Sequence, residues 1–299
     1  MVFGLLSLIA IMALFWNATH VYQQYQSVEQ LAKANGIDHF ALDLNNHLSR
    51  ERGLTSVLLA SPDSGGSQVL RQLIKVRSQV DENFHTLHQL LLSYLNFPEP
   101  GRLAEQLLAV EEQLNANRQL ADRSLQTGEA SISYKKWNEE LNLRIEEITM
   151  IARTVTVPRS HEEDVIRYGI FIRESFFTLS EYAGRERTLI GAVIAQQRPF
   201  RMEEIKLLEH YQGTRTFIKQ HLDKILGFIP NTPEITQAQL EFDNIYSQRY
   251  QSLRDEILLH SRSGESYPLS ATEWFEWASG AVNAILNLSS AVYRHLDDD

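Results

Sequence analysis

The chain has 299 residues, 43% of them hydrophobic, enough for one large or two smaller domains with a buried core, and this excludes a largely disordered chain. Its 28 basic and 38 acidic residues leave a net charge of −10 with neither sign gathered into a block, which argues against nucleic acid as a partner. That balance repels small anions on average, so an anion site has to be built by local placement of arginines; the absence of cysteine removes disulfides, thiolate metal sites and cysteine nucleophiles.

Residues 2–16 are apolar apart from Gly4 and Ser7, and no charged residue precedes Glu29. Fifteen helical residues reach roughly 22 Å, short of the ~30 Å hydrocarbon core, but extension to Tyr22 makes a span with Trp16 and Tyr22 at an interface. The stretch has no basic leader and no small-x-small cleavage site, so residues 1–22 are expected to be a transmembrane anchor rather than a cleaved signal. Such a receptor needs a second span and an output module beyond the last residue, so the chain is expected to be a fragment.

After the anchor, apolar residues recur at helical spacing between turn signals. Helices are expected at 5–60, 67–96, 101–127, 130–156, 161–197, 200–228, 234–262 and 270–296. The separators include Ser61-Pro62-Asp63-Ser64-Gly65-Gly66, Phe97-Pro98-Glu99-Pro100-Gly101, Thr127-Gly128 and a capping box at Ser270-Ala271-Thr272-Glu273. The predicted fold is all-α, two up-and-down four-helix bundles of about 23–157 and 158–299 behind the membrane helix.

The halves share a pattern. The run Arg50-Glu51-Arg52-Gly53-Leu54-Thr55-Ser56-Val57-Leu58-Leu59-Ala60 aligns without gaps on Arg185-Glu186-Arg187-Thr188-Leu189-Ile190-Gly191-Ala192-Val193-Ile194-Ala195, an offset of 135 residues that predicts an internal repeat. On a helix, Leu44, Leu48, Thr55 and Leu59 share a stripe with Arg52, and Leu179, Ala183, Ile190 and Ile194 bracket Arg187. Both arginines therefore point toward packing. Arg50 and Arg185 lie about 200° around the helix, on the flank.

A buried guanidinium needs a partner because it does not shed its proton. One reading is a structural ion pair with Glu51, Glu186, Asp43, Asp81, Glu174 or Glu181. The other uses the repeat: if the matching helices face each other, Arg52 and Arg187 converge, and a planar oxyanion with three acceptor oxygens suits two planar donor forks.

The segment Leu48-Ser49-Arg50-Glu51-Arg52-Gly53-Leu54 resembles the first-helix signature of the NIT (nitrate- and nitrite-sensing) family. Arg77 with Asp81, Tyr134-Lys135-Lys136-Trp137-Asn138-Glu139-Glu140-Leu141-Asn142, Glu181-Tyr182-Ala183-Gly184-Arg185-Glu186-Arg187, Phe200 and Trp274-Phe275-Glu276-Trp277 resemble later family segments in order. This resemblance, over about 24–296, implies a helical sensor domain that binds nitrate or nitrite near a bundle interface and relays occupancy to an output module. It implies Arg52 and Arg187 as first-choice ligands and Arg50 and Arg185 as second. Thr188 departs from the small residue expected after the second arginine. The expected setting is a bacterial inner membrane, with the sensor in the periplasm and the receptor a homodimer.

No hydrolase elbow, phosphate loop or zinc signature is present. His85 and His88 have i, i+3 spacing without a third ligand, and carboxylate-bridged metals in bundles use a Glu-x-x-His step on each of two helices, of which the chain has only Glu82-Asn83-Phe84-His85. Neither an enzyme nor a cofactor is expected. The competing reading is a ligand-free helical spacer or protein-interaction domain with both arginines merely ion-paired.

Overall fold

The computed structural model describes residues 2–61, 66–94, 100–156 and 164–298, of which 2–14, 23–24, 26–32, 35, 66–67, 100, 156, 164–170 and 296–298 are described for the backbone alone. Every element among them is helical: α1 (Val2–Ala60), α2 (Gly66–Ser93), α3 (Pro100–Thr127), α4 (Tyr134–Thr156), α5 (Asp164–Ala195), α6 (Met202–Leu226), α7 (Pro233–Phe242), α8 (Gln251–Ser263) and α9 (Ala271–Asp298). Helix α9 starts at the anticipated capping box, with Ser270 Oγ accepting from Glu273 N at 3.2 Å and Glu273 Oε2 accepting from Ser270 N at 2.9 Å. Gly128, with φ 73°, follows α3 in the left-handed region that spares glycine the Cβ clash.

The helix expected at 234–262 is not uniform. Between α7 and α8 the chain runs through a π-helical turn at Asp243–Tyr250, so the segment is one rod with a widened middle. That widening sets Phe242, Tyr246, Tyr250 and Trp274 in a continuous stack, with successive ring centroids 5.1, 5.8 and 5.6 Å apart. Aromatic stacking and burial together account for a geometry that backbone propensity alone disfavours.

Two cores form. In one, α1 packs against α2 and α4, and α3 bridges α2 and α4; in the other, α5 packs against α6 and α9, and the α7–α8 rod lies along α9. Leu44, Leu48, Phe84, Leu114 and Trp137 anchor the first, and Phe176, Ile190, Ile194, Trp274 and Ile285 the second. The two meet along α1 and α5, and each core takes a side chain from the other side: Val57 of α1 lies in the second and Phe275 of α9 in the first. The expected boundary at residues 157 and 158 falls outside the described residues.

No helix among the described residues is long and apolar enough to cross a membrane. The membrane span expected at residues 1–22 is thus not found, and most of it lies outside the described side chains. The later part of that stretch exposes Phe15, Trp16, Val21 and Tyr22, with Tyr25 one turn beyond.

Candidate functional site

The site forms where α1 crosses α5, and small residues permit the crossing. An atom at the Cβ position of Gly184 would stand 2.4 Å from Ser49 Oγ and 3.2 Å from Arg52 Nη2, and one on Gly53 would stand 2.4 Å from the Phe275 ring. At Gly184 the two helices approach so closely that only a hydrogen fits, and at Gly53 the Phe275 ring of α9 leaves the same room. Thr188, which departs from the small residue expected there, is accommodated by turning its hydroxyl to donate to Gly184 O at 2.9 Å.

Into this crossing project the two arginines that the repeat singled out, Arg52 at 0% and Arg187 at 1% exposure. They converge on one hydroxyl: Ser49 Oγ accepts from Arg52 Nη2 at 3.1 Å and from Arg187 Nη2 at 3.2 Å. Their remaining partners differ. Arg52 grips Glu181 through Nη1 at 2.7 Å and Nη2 at 3.2 Å, and also donates from Nη1 to Asn142 Oδ1 at 2.6 Å. Arg187 donates to Ser279 Oγ at 3.0 Å and Ser49 O at 2.8 Å and lies 4.6 Å from the Phe275 ring centroid, so all its hydrogen-bond acceptors are neutral.

That difference has an electrostatic consequence. Burial, and then repulsion from Arg52 and Arg50, pulls the Arg187 guanidinium down to about 9, only partly countered by Glu181. Arg187 stays charged at neutral pH, as a desolvated cation beside two others. Glu181 shows the opposite balance: burial pushes its carboxyl up, but Arg52 and Arg185 outweigh burial and hold it below the usual carboxylate range.

The second-choice arginines divide as well. Arg185 is occupied, donating to Glu181 Oε1 at 2.7 Å and Glu146 Oε1 at 2.9 Å. Half-buried Arg50 has no hydrogen-bond partner for its buried Nε, and burial lowers its pKa. It adds to the positive field at Arg187. Of the six carboxylates considered from sequence, Glu181 is the one paired with Arg52.

Around the crossing, matched interactions recur at nearly the repeat offset. Trp137 Nε1 donates to Arg52 O at 3.1 Å, and Trp274 Nε1 donates to Arg187 O at 2.9 Å. Glu51 is held by Arg77 at 3.0 Å and Arg118 at 2.7 Å, and Glu186 by Arg215 at 2.8 Å and Arg254 at 3.0 Å. The glutamates of the two Arg-Glu-Arg steps thus turn inward, each clamped by arginines from two other helices. Sequence reasoning missed these clamps, and it missed Ser49, Asn142 and Ser279. Ser49 was the most accessible to it, lying one turn before Arg52 on the same face.

A crevice of about 560 Å³ leads from the surface between α4, α5 and α6 to Arg52, lined among others by Asn138, Asn142, Arg185, Thr188 and Tyr211. Lys135 and Glu203 lie along it as an ion pair joining α4 to α6.

Compared with known proteins, residues 43–297 match the family described as nitrate and nitrite sensing, NIT. The chain belongs to that family of sensor domains. Among solved structures, that of the NasR transcription antiterminator is similar, with a TM-score of 0.70 at 17% identity over 96% of this chain and 74% of that one, a likeness of fold. No curated protein matches the chain.

Proposed function

We propose that the α1–α5 crossing binds nitrate or nitrite between Arg52 and Arg187 and that the chain is the sensing part of a membrane-anchored bacterial receptor. The observation that carries the site is Arg187: a fully buried cation with neutral acceptors only, facing a second buried arginine across a shared hydroxyl. A monovalent planar oxyanion offers in-plane oxygens to both forks and offsets the desolvation of Arg187. A merely structural arginine is normally matched by a carboxylate, as Arg118 and Arg215 are.

The crevice is the access route, and Arg50 supplies field rather than a direct contact. The matched indole bonds and glutamate clamps support descent of the two halves from a duplicated four-helix unit. An anchor at residues 1–22 is supported by the apolar run and by exposed Phe15, Trp16, Tyr22 and Tyr25. On this reading the sensor lies in the periplasm of a homodimeric receptor, has no catalytic activity, and uses α1 to carry a shift of the crossing toward the membrane.

Thermal unfolding of the full chain in sodium nitrate or nitrite, against chloride at matched ionic strength, tests the reading. An anion at 100 times its dissociation constant stabilises the folded state by about 2.7 kcal/mol. A rise specific to these oxyanions and lost in Arg187→Met supports the site; equal melting in all three salts leaves the spacer reading in its place.

A further inference from the structure

Glu181 holds on Arg52 the edge that an oxyanion would take. Its two oxygens meet Nη1 at 2.7 Å and Nη2 at 3.2 Å, a fork-to-edge pairing made by a planar group of one negative charge. Nitrate is also planar, carries the same charge and offers a similar pair of oxygens. A carboxylate and a nitrate therefore compete for one face of one guanidinium.

Glu181 also has a place to go. Arg185, four residues on along the same helix, already donates Nε to Glu181 Oε1 at 2.7 Å, and that bond lies wholly within α5. Release of Arg52 thus leaves the Glu181 charge compensated rather than orphaned. Arg187, on the same helix, keeps its donors on Ser49 O and Ser279 Oγ and points the Nη2 edge toward the hydroxyl it shares with Arg52.

We infer that Glu181 is a built-in competitor for the oxyanion, which exchanges places with it on Arg52 and so sets both the affinity of the site and the difference between its two states. The inference rests on the anion-binding reading above. Without the oxyanion, α1 and α5 are tied by Arg52 to Glu181; with it, they are tied by Arg52 through the anion to Arg187, about two helical turns further along α5. A ligand shifts a conformational equilibrium only through contacts that differ between states, and this exchange supplies them. The apparent affinity is the intrinsic affinity reduced by the fraction of molecules in which Arg52 is released.

The experiment is calorimetric titration of the full chain with sodium nitrate, comparing wild type with Glu181→Gln, which removes the charge but keeps the shape. The competitor role predicts tighter binding in Glu181→Gln, by about tenfold, together with a lower melting temperature in chloride and a larger nitrate-induced rise. In the Glu181→Gln background, Arg185→Gln is then expected to weaken nitrate binding less than in wild type, where it also denies Glu181 its alternative partner. If wild type binds nitrate and Glu181→Gln binds it equally or more weakly, Glu181 is a positioning group for Arg52 and the inference is overturned. Absence of binding in both proteins overturns the nitrate site itself, a separate outcome. Should Glu181→Gln lose its helical circular dichroism, Glu181→Asp decides: it retains the charge but draws it back from Arg52, and tightening supports the role while weakening or no change overturns it.

Discussion

Arg52 and Arg187 hold matching places in two nearly equivalent helices, yet one is neutralised and the other is not. Each is buried, each has its carbonyl bonded by a tryptophan indole, and each follows a glutamate clamped by two arginines. The difference comes from across the crossing. Helix α5 offers Glu181 to Arg52, while the position that aligns with Glu181 in α1 is the neutral Asn46. The glutamate-to-asparagine difference leaves uncompensated positive charge on one side of the interface.

The largest effects are expected at the glutamate clamps, where the two halves also differ. In Glu186→Ala, Arg215 and Arg254 lose their shared buried partner, and a cost of about 3–5 kcal/mol is expected in denaturant unfolding. In Glu51→Ala the loss should be smaller, because Asp122 and Asp81, at 2.9 and 2.6 Å, still accept from both Arg77 and Arg118, whereas in the second clamp Arg254 keeps exposed Asp255 at 3.1 Å and Arg215 keeps no carboxylate. Equal losses would refute the view that the second clamp is the more closed.

The central pair gives a contrast in sign. Arg52→Met leaves Glu181 with Arg185 alone and should destabilise by about 1–3 kcal/mol, less than an orphaned carboxylate would, whereas Arg187→Met removes a cation that has no carboxylate and should be neutral or stabilise by about 1 kcal/mol. Chemical denaturation in chloride reads both. A loss in Arg187→Met as large as that in Arg52→Met would show that the two are energetically equivalent.

Gly184→Ala presses a methyl carbon against Ser49 and Arg52 and should cost about 1–3 kcal/mol while weakening nitrate binding, whereas Gly213→Ala, which meets nothing within 4 Å, should be tolerated. If the two alanine variants melt alike, the crossing is looser than its geometry indicates.

The smallest effect is in pH. Arg187 is lowered from the usual arginine range to about 9, so the desolvation cost of its charge is fully present below pH 9 and is relieved as pH rises above it toward the usual arginine range. Nitrate affinity should therefore weaken above pH 9, and the stability gap between wild type and Arg187→Met should narrow over the same range. Titrations at pH 7 and pH 10 distinguish this from a flat profile.

Much of the fold was legible. Long apolar periodicities and sparse prolines and glycines mark helices within a few residues, because an amphipathic period of 3.6 survives any tertiary arrangement. The π-helical stretch was not, since it goes with the stacking of Tyr246 on Tyr250 and of Tyr250 on Trp274, more than twenty residues away. Likewise, periodicity located Arg52 and Arg187 on packing faces but left open whether each was paired.

By itself, the sequence determined that the chain is helical, that residues 50–60 and 185–195 carry one pattern, and that two of its arginines are buried, all consequences of local spacing. Only the tertiary structure decided that those arginines meet on Ser49, that Glu181 neutralises one of them, and that the intervening glutamates are clamped from other helices. The physical reason is range: helical period is a property of neighbours along the chain, whereas a buried charge is compensated by whichever group the packing of distant segments brings within about 3 Å.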